Sequence, residues 1–135
     1  MQNFTGPRDN DKYRWTAHVA RKMRHYGLSP SRVLRIVNAP QRTEEGVAPG
    51  TLAGMQKTGS KKRPSEIWAM WRDEKRAATK ADPRPRARRI IITAWRYPGV
   101  SPVRGKVPIP ADIAAELERE DLLAEESTAP EEDVV

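Results

Sequence analysis

Four side chains able to move or neutralise charge recur at helical spacing near the N-terminus: His18, Arg21, Lys22 and His25. At about 100° per residue they fall within about 100° of arc, while Val19, Met23 and Tyr26 gather on another side. An imidazole titrates near neutrality and can take a proton from a hydroxyl. Neighbouring cations favour the neutral form that a general base requires. A second group follows the apolar run Ile90–Ile92, where Thr93, Trp95, Arg96 and Tyr97 precede the turn Pro98-Gly99. Arginine can hold a phosphate bidentately, and tyrosine can stack on a base or hydrogen-bond to a phosphate. A base for a hydroxyl beside cations for a charged transition state is the equipment of phosphodiester cleavage. The candidate catalytic residues are therefore His18, Arg21, Arg96 and Tyr97. Lys22, His25 and Thr93 are candidate nucleic-acid contacts, together with the basic turn Lys61-Lys62-Arg63 and the pair Arg88-Arg89. The plainer readings are a solvated polar face for the helix and core packing for Trp95.

Charge supports a polyanionic partner. Residues 1–110 carry 24 Lys/Arg against 8 Asp/Glu, a net of +16, whereas residues 111–135 carry one Arg against 10 Asp/Glu, a net of −9. A body this basic concentrates polyanions around itself, and RNA is the expected partner. The acidic tail is placed to fold back and compete for the same surface. Cysteine is absent, which removes disulfides, thiolate metal sites and a cysteine nucleophile. His18 and His25 stand seven residues apart, too far for a helical i, i+4 zinc pair, and the carboxylates nearest in sequence are Asp9 and Asp11. No metal and no cofactor is expected. Glycine-rich phosphate loops, Ser-His-Asp spacing and dinucleotide fingerprints are all missing. With no apolar stretch of membrane-spanning length, the expectation is a cytoplasmic protein without a membrane partner.

The elements that must position these residues follow from caps and periodicity. Residues 1–14 read as disordered. Thr16 is an N-cap for a helix to about Tyr26, closed by Gly27. Ser29-Pro30 opens a second helix through Asn38, which Ala39-Pro40 stops. Arg42–Glu45, Thr51–Lys57 and Glu66–Arg72 read as strands. In the third, Ile67, Ala69 and Trp71 share one face and Trp68 and Met70 the other, so it is central. Residues 73–87 read as a mobile basic loop before the Ile90–Ile92 strand. Period two would send Thr93, Trp95 and Tyr97 one way, and Ala94 and Arg96 the other with Ile90 and Ile92. Residues 98–110 are extended and proline-rich. The acidic tail 111–135 reads as disordered or partly helical, with a short helix from Ala111 to about Glu125. The fold class is α+β: two N-terminal helices packed on an antiparallel sheet of about four strands.

The stretch His18-Val-Ala-Arg-Lys-Met-Arg-His-Tyr-Gly-Leu-Ser-Pro-Ser-Arg-Val, then Asn38-Ala-Pro and the strand Ile-Ile-Thr-Ala-Trp-Arg-Tyr, resembles small proteins related to RelE- and BrnT-type toxins. The resemblance covers roughly residues 15–97. It implies the compact α+β ribonuclease fold shared with barnase-like enzymes, a metal-independent endoribonuclease activity, and an antitoxin-like protein partner. His18, Arg21 and Lys22 would be the helical contribution, and Thr93, Arg96 and Tyr97 that of the strand. The Glu44–Thr51 insertion, the basic loop 73–87 and the 98–135 extension depart from that pattern. One alternative is therefore a non-enzymatic RNA- or ribosome-associated protein using the same surface. Another treats residues 16–38 as a helix-turn-helix DNA reader with Arg32 and Arg35 facing the groove.

Overall fold

A computed structural model describes residues 6–47, 49–76, 80–81, 86–103 and 106–119, with backbone alone at 75, 76 and 86. Thr16 is extended at the entry to α1 (Ala17–Tyr26), and its hydroxyl accepts from the Val19 amide at 3.0 Å. Gly27 ends α1 with φ 69°, the left-handed conformation that a glycine adopts without a Cβ penalty. Ser29 repeats the capping for α2 (Pro30–Asn38), accepting from the Arg32 amide at 3.1 Å, with Pro30 in the first turn where its missing N–H costs nothing. Both helices occupy the residues that their caps predict.

The sheet has five strands: β1 (Tyr13–Trp15), β2 (Arg42–Glu45), β3 (Thr51–Gly59), β4 (Pro64–Arg76) and β5 (Arg86–Pro98), in the order β1-β5-β4-β3-β2. It is mixed, since β1 runs parallel to β5 while every other pair is antiparallel. Two expectations need correction. The edge strand Tyr13–Trp15 begins within residues 1–14, which composition reads as disordered, and is held by Asp9 and Asn10 side chains that accept from the Trp15, Lys12 and Tyr13 amides. The segment 73–87 is also less loop than its composition suggests, because β4 runs on to Arg76 and β5 begins at Arg86. Cross-strand pairs Asp73–Arg89 and Glu74–Arg88 carry the ladder outward. Residues 77–79 and 82–85 lie outside the described residues.

Both faces of the sheet are covered. On the first, Val19, Met23, Leu28, Val33, Ile36 and Val37 pack on Ile67, Ala69, Trp71, Ile91 and Ala94. On the second, Ala53, Met55, Trp68, Met70, Ile90, Ile92 and Trp95 lie beneath Ile113 and Leu117 of α3 (Ala111–Arg119). Burying each such aliphatic side chain contributes about 1.5–3 kcal/mol. The expected extension of the acidic helix to Glu125 falls outside the described residues. No helix among those described is long and apolar enough to cross a membrane.

One irregularity in β5 decides where its side chains go. Met70 pairs with Thr93 and Trp71 with Ile91, so Ile92 is an extra residue, a β-bulge. The bulge breaks the simple alternation. Ile90, Ile92 and Trp95 lie in the second-face cluster with Tyr97 at its rim, while Ile91 and Ala94 belong to the first. Arg96, opposite Ile67, also falls on the first face. The expected grouping of Ile90 and Ile92 with Ala94 and Arg96 is therefore overturned.

The β3–β4 hairpin closes through Gly59 at φ 84°, where an added Cβ would stand 2.3 Å from the Arg63 carbonyl oxygen. That neighbour is backbone and cannot rotate aside. Gly59→Ala is expected to cost about 1–3 kcal/mol in chemical denaturation; a loss within error of zero would show that the turn rearranges freely.

Candidate functional site

The bulge at Ile92 is also where α1 is fastened. The Thr16 amide donates to the Ile91 carbonyl at 3.2 Å, and its hydroxyl donates to the Ile92 carbonyl at 2.9 Å. β1 therefore ends where the bulge begins, and α1 covers the open edge of β5 beyond it. One helical step on, His18 is fully buried, with Nε2 and the Thr93 hydroxyl 2.8 Å apart. Thr93 is likewise buried.

One turn later on the same stripe, Lys22 meets α3. Its ammonium stands 3.1 Å from Asp112 Oδ2 and 3.0 and 3.2 Å from the two Glu116 oxygens. Glu116 Oε1 also lies 3.4 Å from His18 Nδ1. Two i, i+4 pairs thus face each other, a histidine and a lysine on α1 against two carboxylates on α3. Burial pulls the Lys22 pKa down, but the hydrogen bonds to Glu116 and Asp112 outweigh it and leave it raised. The Lys22 hydrogen bond holds both carboxyls below their ordinary values. Tyr26 lies at the junction of the two cores, its hydroxyl pKa raised by burial and then by the Asp112 charge.

The structure brings together His18, Lys22 and Thr93 from the sequence candidates, and adds Asp112 and Glu116. It does not present the α1 cluster as one open face: Arg21 and His25 are exposed, whereas His18 and Lys22 turn toward α3. His25 packs edge-on against Tyr26 with ring centroids 4.7 Å apart. Tyr97 is half-buried at the rim of the second core. Arg96 lies on the other face of the sheet, its Nε donating to the Tyr26 carbonyl at 2.8 Å. Lys61, Lys62 and Arg63 are exposed at the hairpin tip. Arg88 pairs with Glu74, and Arg89 with Asp73 and the Val37 carbonyl, its guanidinium over the Trp71 ring.

Beside His18, the second face carries a stacked pair, Trp68 and Trp95, with centroids 6.0 Å apart and planes 5° apart. Glu66 is buried as an acceptor. It takes the Trp68 indole N–H at 3.0 Å, and the Ser101 hydroxyl and amide at 2.7 and 3.0 Å. Arg42 pairs with Glu44 at 2.7 Å and reaches Ser101 and the Pro102 carbonyl. These bonds tie the segment after β5 across the sheet, so α3 arrives over the tryptophans. Sequence reasoning missed Asp112 and Glu116 as partners of α1, although their i, i+4 spacing matches that of His18 and Lys22. Among the described residues, no three His, Cys, Asp or Glu side chains group around a common metal position.

A scan against protein-family models and searches of curated proteins and of solved structures each return no match for this chain.

Proposed function

We propose that the chain is an RNA-binding protein of ribonuclease-toxin-like fold, related in design to the RelE and BrnT toxins, whose cleavage centre is His18 with Lys22 and Thr93. The observation that carries this reading is the buried His18–Thr93 pair at a β-bulge, with an ammonium one turn away. Bulges re-aim side chains and recur beside active sites. In the reaction, the His18 imidazole takes the proton from a ribose 2′-hydroxyl as the 2′-oxygen attacks phosphorus. The P–O5′ bond then breaks as O5′ takes a proton from water, leaving a 2′,3′-cyclic phosphate and a 5′-hydroxyl, and the His18 imidazolium returns its proton to the hydroxide so formed. Lys22 neutralises charge that grows on the phosphoryl oxygens. Trp68, Trp95 and Tyr97 are a surface on which bases stack. The geometry favours Lys22 over Arg96 as the cation beside His18, because Arg96 projects from the opposite face of the sheet.

In the state described, α3 covers this centre and its carboxylates stand where phosphate oxygens would. The acidic helix is thus a built-in competitor, and cleavage requires it to leave. A second reading is favoured by the same burial: with α3 seated, the protein binds RNA at its exposed basic surface without turnover. The two separate in one experiment. Purified protein is incubated with ribosomal and messenger RNA beside Asp112→Asn/Glu116→Gln, which weakens the seating of α3, and beside His18→Ala. Cleavage raised by the first variant and abolished by the second supports the enzyme. Equal cleavage by His18→Ala ends the catalytic reading. Salt-sensitive binding with intact RNA throughout selects the non-enzymatic protein.

A further inference from the structure

A second charged cluster lies on the sheet face opposite Thr93. Gln56, Ile67 and Arg96 form one row across β3, β4 and β5. At about 4.8 Å per strand, Gln56 and Arg96 stand about 10 Å apart with Ile67 between them. Arg32 reaches down from α2 to hydrogen-bond Gln56 Oε1. The Gln56 amide is itself held by the Ala39 carbonyl at 2.9 Å and the Arg35 carbonyl at 3.3 Å. Arg96 is anchored through Nε to the Tyr26 carbonyl. Arg35, three residues after Arg32 on the same helix face, is exposed.

The Arg32 guanidinium feels the charge of both other arginines. Burial, and then the charges of Arg35 and Arg96, hold the Arg32 pKa below its ordinary value. No ion pair among the described residues involves any of the three. The sequence around them supplies no carboxylate either: residues 12–43, 46–65 and 83–111 contain neither Asp nor Glu. Two of these like charges, Arg32 and Arg96, are held by neutral acceptors, and Arg35 and Arg96 are exposed, an arrangement suited to an oxyanion that comes from outside.

We propose that Arg32, Arg35 and Arg96 form a phosphate-binding site for the sugar–phosphate backbone of single-stranded RNA. The site rests on the RNA-binding reading and lies apart from the His18 centre. Gly59 pairs with Pro64, three residues beyond the Ile67 row, so the tip carrying Lys61, Lys62 and Arg63 projects from the same end of the sheet. Seating of α3 covers the other face, so this site stays open while the cleavage centre is closed. It lets the protein hold RNA before α3 moves.

The test is fluorescence anisotropy of a short labelled oligouridine against the full chain over a range of KCl, with Arg35→Gln, Arg32→Gln/Arg35→Gln and Arg96→Gln beside the exposed control Lys106→Gln. The double variant is expected to bind about ten-fold or more weaker at low salt, with the salt slope reduced by about 1.4, or about 0.7 for each lost phosphate contact on a single strand. Arg35→Gln removes no partner among the described residues, so its weakening reports binding rather than folding. Equal affinity of wild type and all three arginine variants overturns the site and leaves RNA binding elsewhere on the protein. Tighter binding of duplex DNA, lost in the double variant, overturns the single-stranded assignment. Inorganic phosphate shifting the Arg32 and Arg96 Nε–Hε resonances, with no RNA bound, overturns the RNA reading and leaves the anion site standing.

Discussion

Trp68→Ala is expected to lower stability by about 3–5 kcal/mol in urea denaturation, against a total of about 5–15 kcal/mol for a domain of this kind. Trp68 is fully buried on the central strand β4, and three separate interactions converge on it. Its ring stacks on Trp95, a pairing worth about 0.5–1.5 kcal/mol beyond the area it buries. Its indole N–H satisfies Glu66, a carboxylate only 1% exposed. Its outer face carries the Arg42 guanidinium at 5.2 Å from the ring centroid. Removing the side chain leaves a cavity under α3 and takes one donor from a buried charge. Trp68→Phe keeps most of the stack and loses the indole donor, so about 1–3 kcal/mol is expected from that change. A loss below about 1 kcal/mol for Trp68→Ala would mean that α3 and the segment before it do not seal the second face.

The next largest effect is expected from Lys22→Glu. The substitution sets a third carboxylate against Glu116 and the half-exposed Asp112, and because solvent screens part of that repulsion the cost is about 1.5–3 kcal/mol. Amide hydrogen exchange across Ala111–Arg119 should lose its protection while β4 and β5 keep theirs. Lys22→Met, which retains the apolar stem, separates loss of the ion pairs from repulsion and should release α3 less. The pH dependence follows from the same contacts. Asp112 and Glu116 titrate below their ordinary values of 3.8 and 4.5, so their contribution is complete above that range and disappears as pH falls through the depressed values. Lys22 titrates above 10.5, so its contribution is complete below that value and is lost as pH rises past the raised one. The helix should stay seated across neutrality and loosen at either extreme. Protection of α3 that is unchanged by Lys22→Glu would remove the competitor role assigned to the tail.

Both predictions concern the C-terminal segment, whose helix from Ala111 was legible beforehand but whose contacts were not. Local chemistry placed α1 and α2, since Thr16, Gly27, Ser29 and Pro30 satisfy or terminate backbone groups within a few residues of themselves. The two-sided apolar pattern of Ile67 to Trp71 likewise announced a central strand covered on both faces. Nothing comparable marks β1. Three residues, Tyr13–Trp15, carry too little periodicity, and their strand exists only because β5 offers an unpaired edge. The charged ends of β4 and β5 were hidden by composition: Lys and Arg there read as loop, yet the ladder and its cross-strand ion pairs support them.

What the sequence determined by itself is the set of local elements, a strongly basic body with an acidic tail, and the helical stripe that puts His18 and Lys22 one turn apart. Only the tertiary structure decided which of those groups meet. One inserted residue, Ile92, reverses the alternation of β5 beyond it, because a strand's side-chain period is two and any odd step exchanges the faces. Alternation alone separates Arg96 from Trp95 and Tyr97; the extra step decides that Trp95 and Tyr97 join Ile90 and Ile92 on the second face while Arg96 falls on the first. Docking of α3 then buries His18 and Lys22 beneath Asp112 and Glu116, some 90 positions away, a distance across which local pattern carries no information.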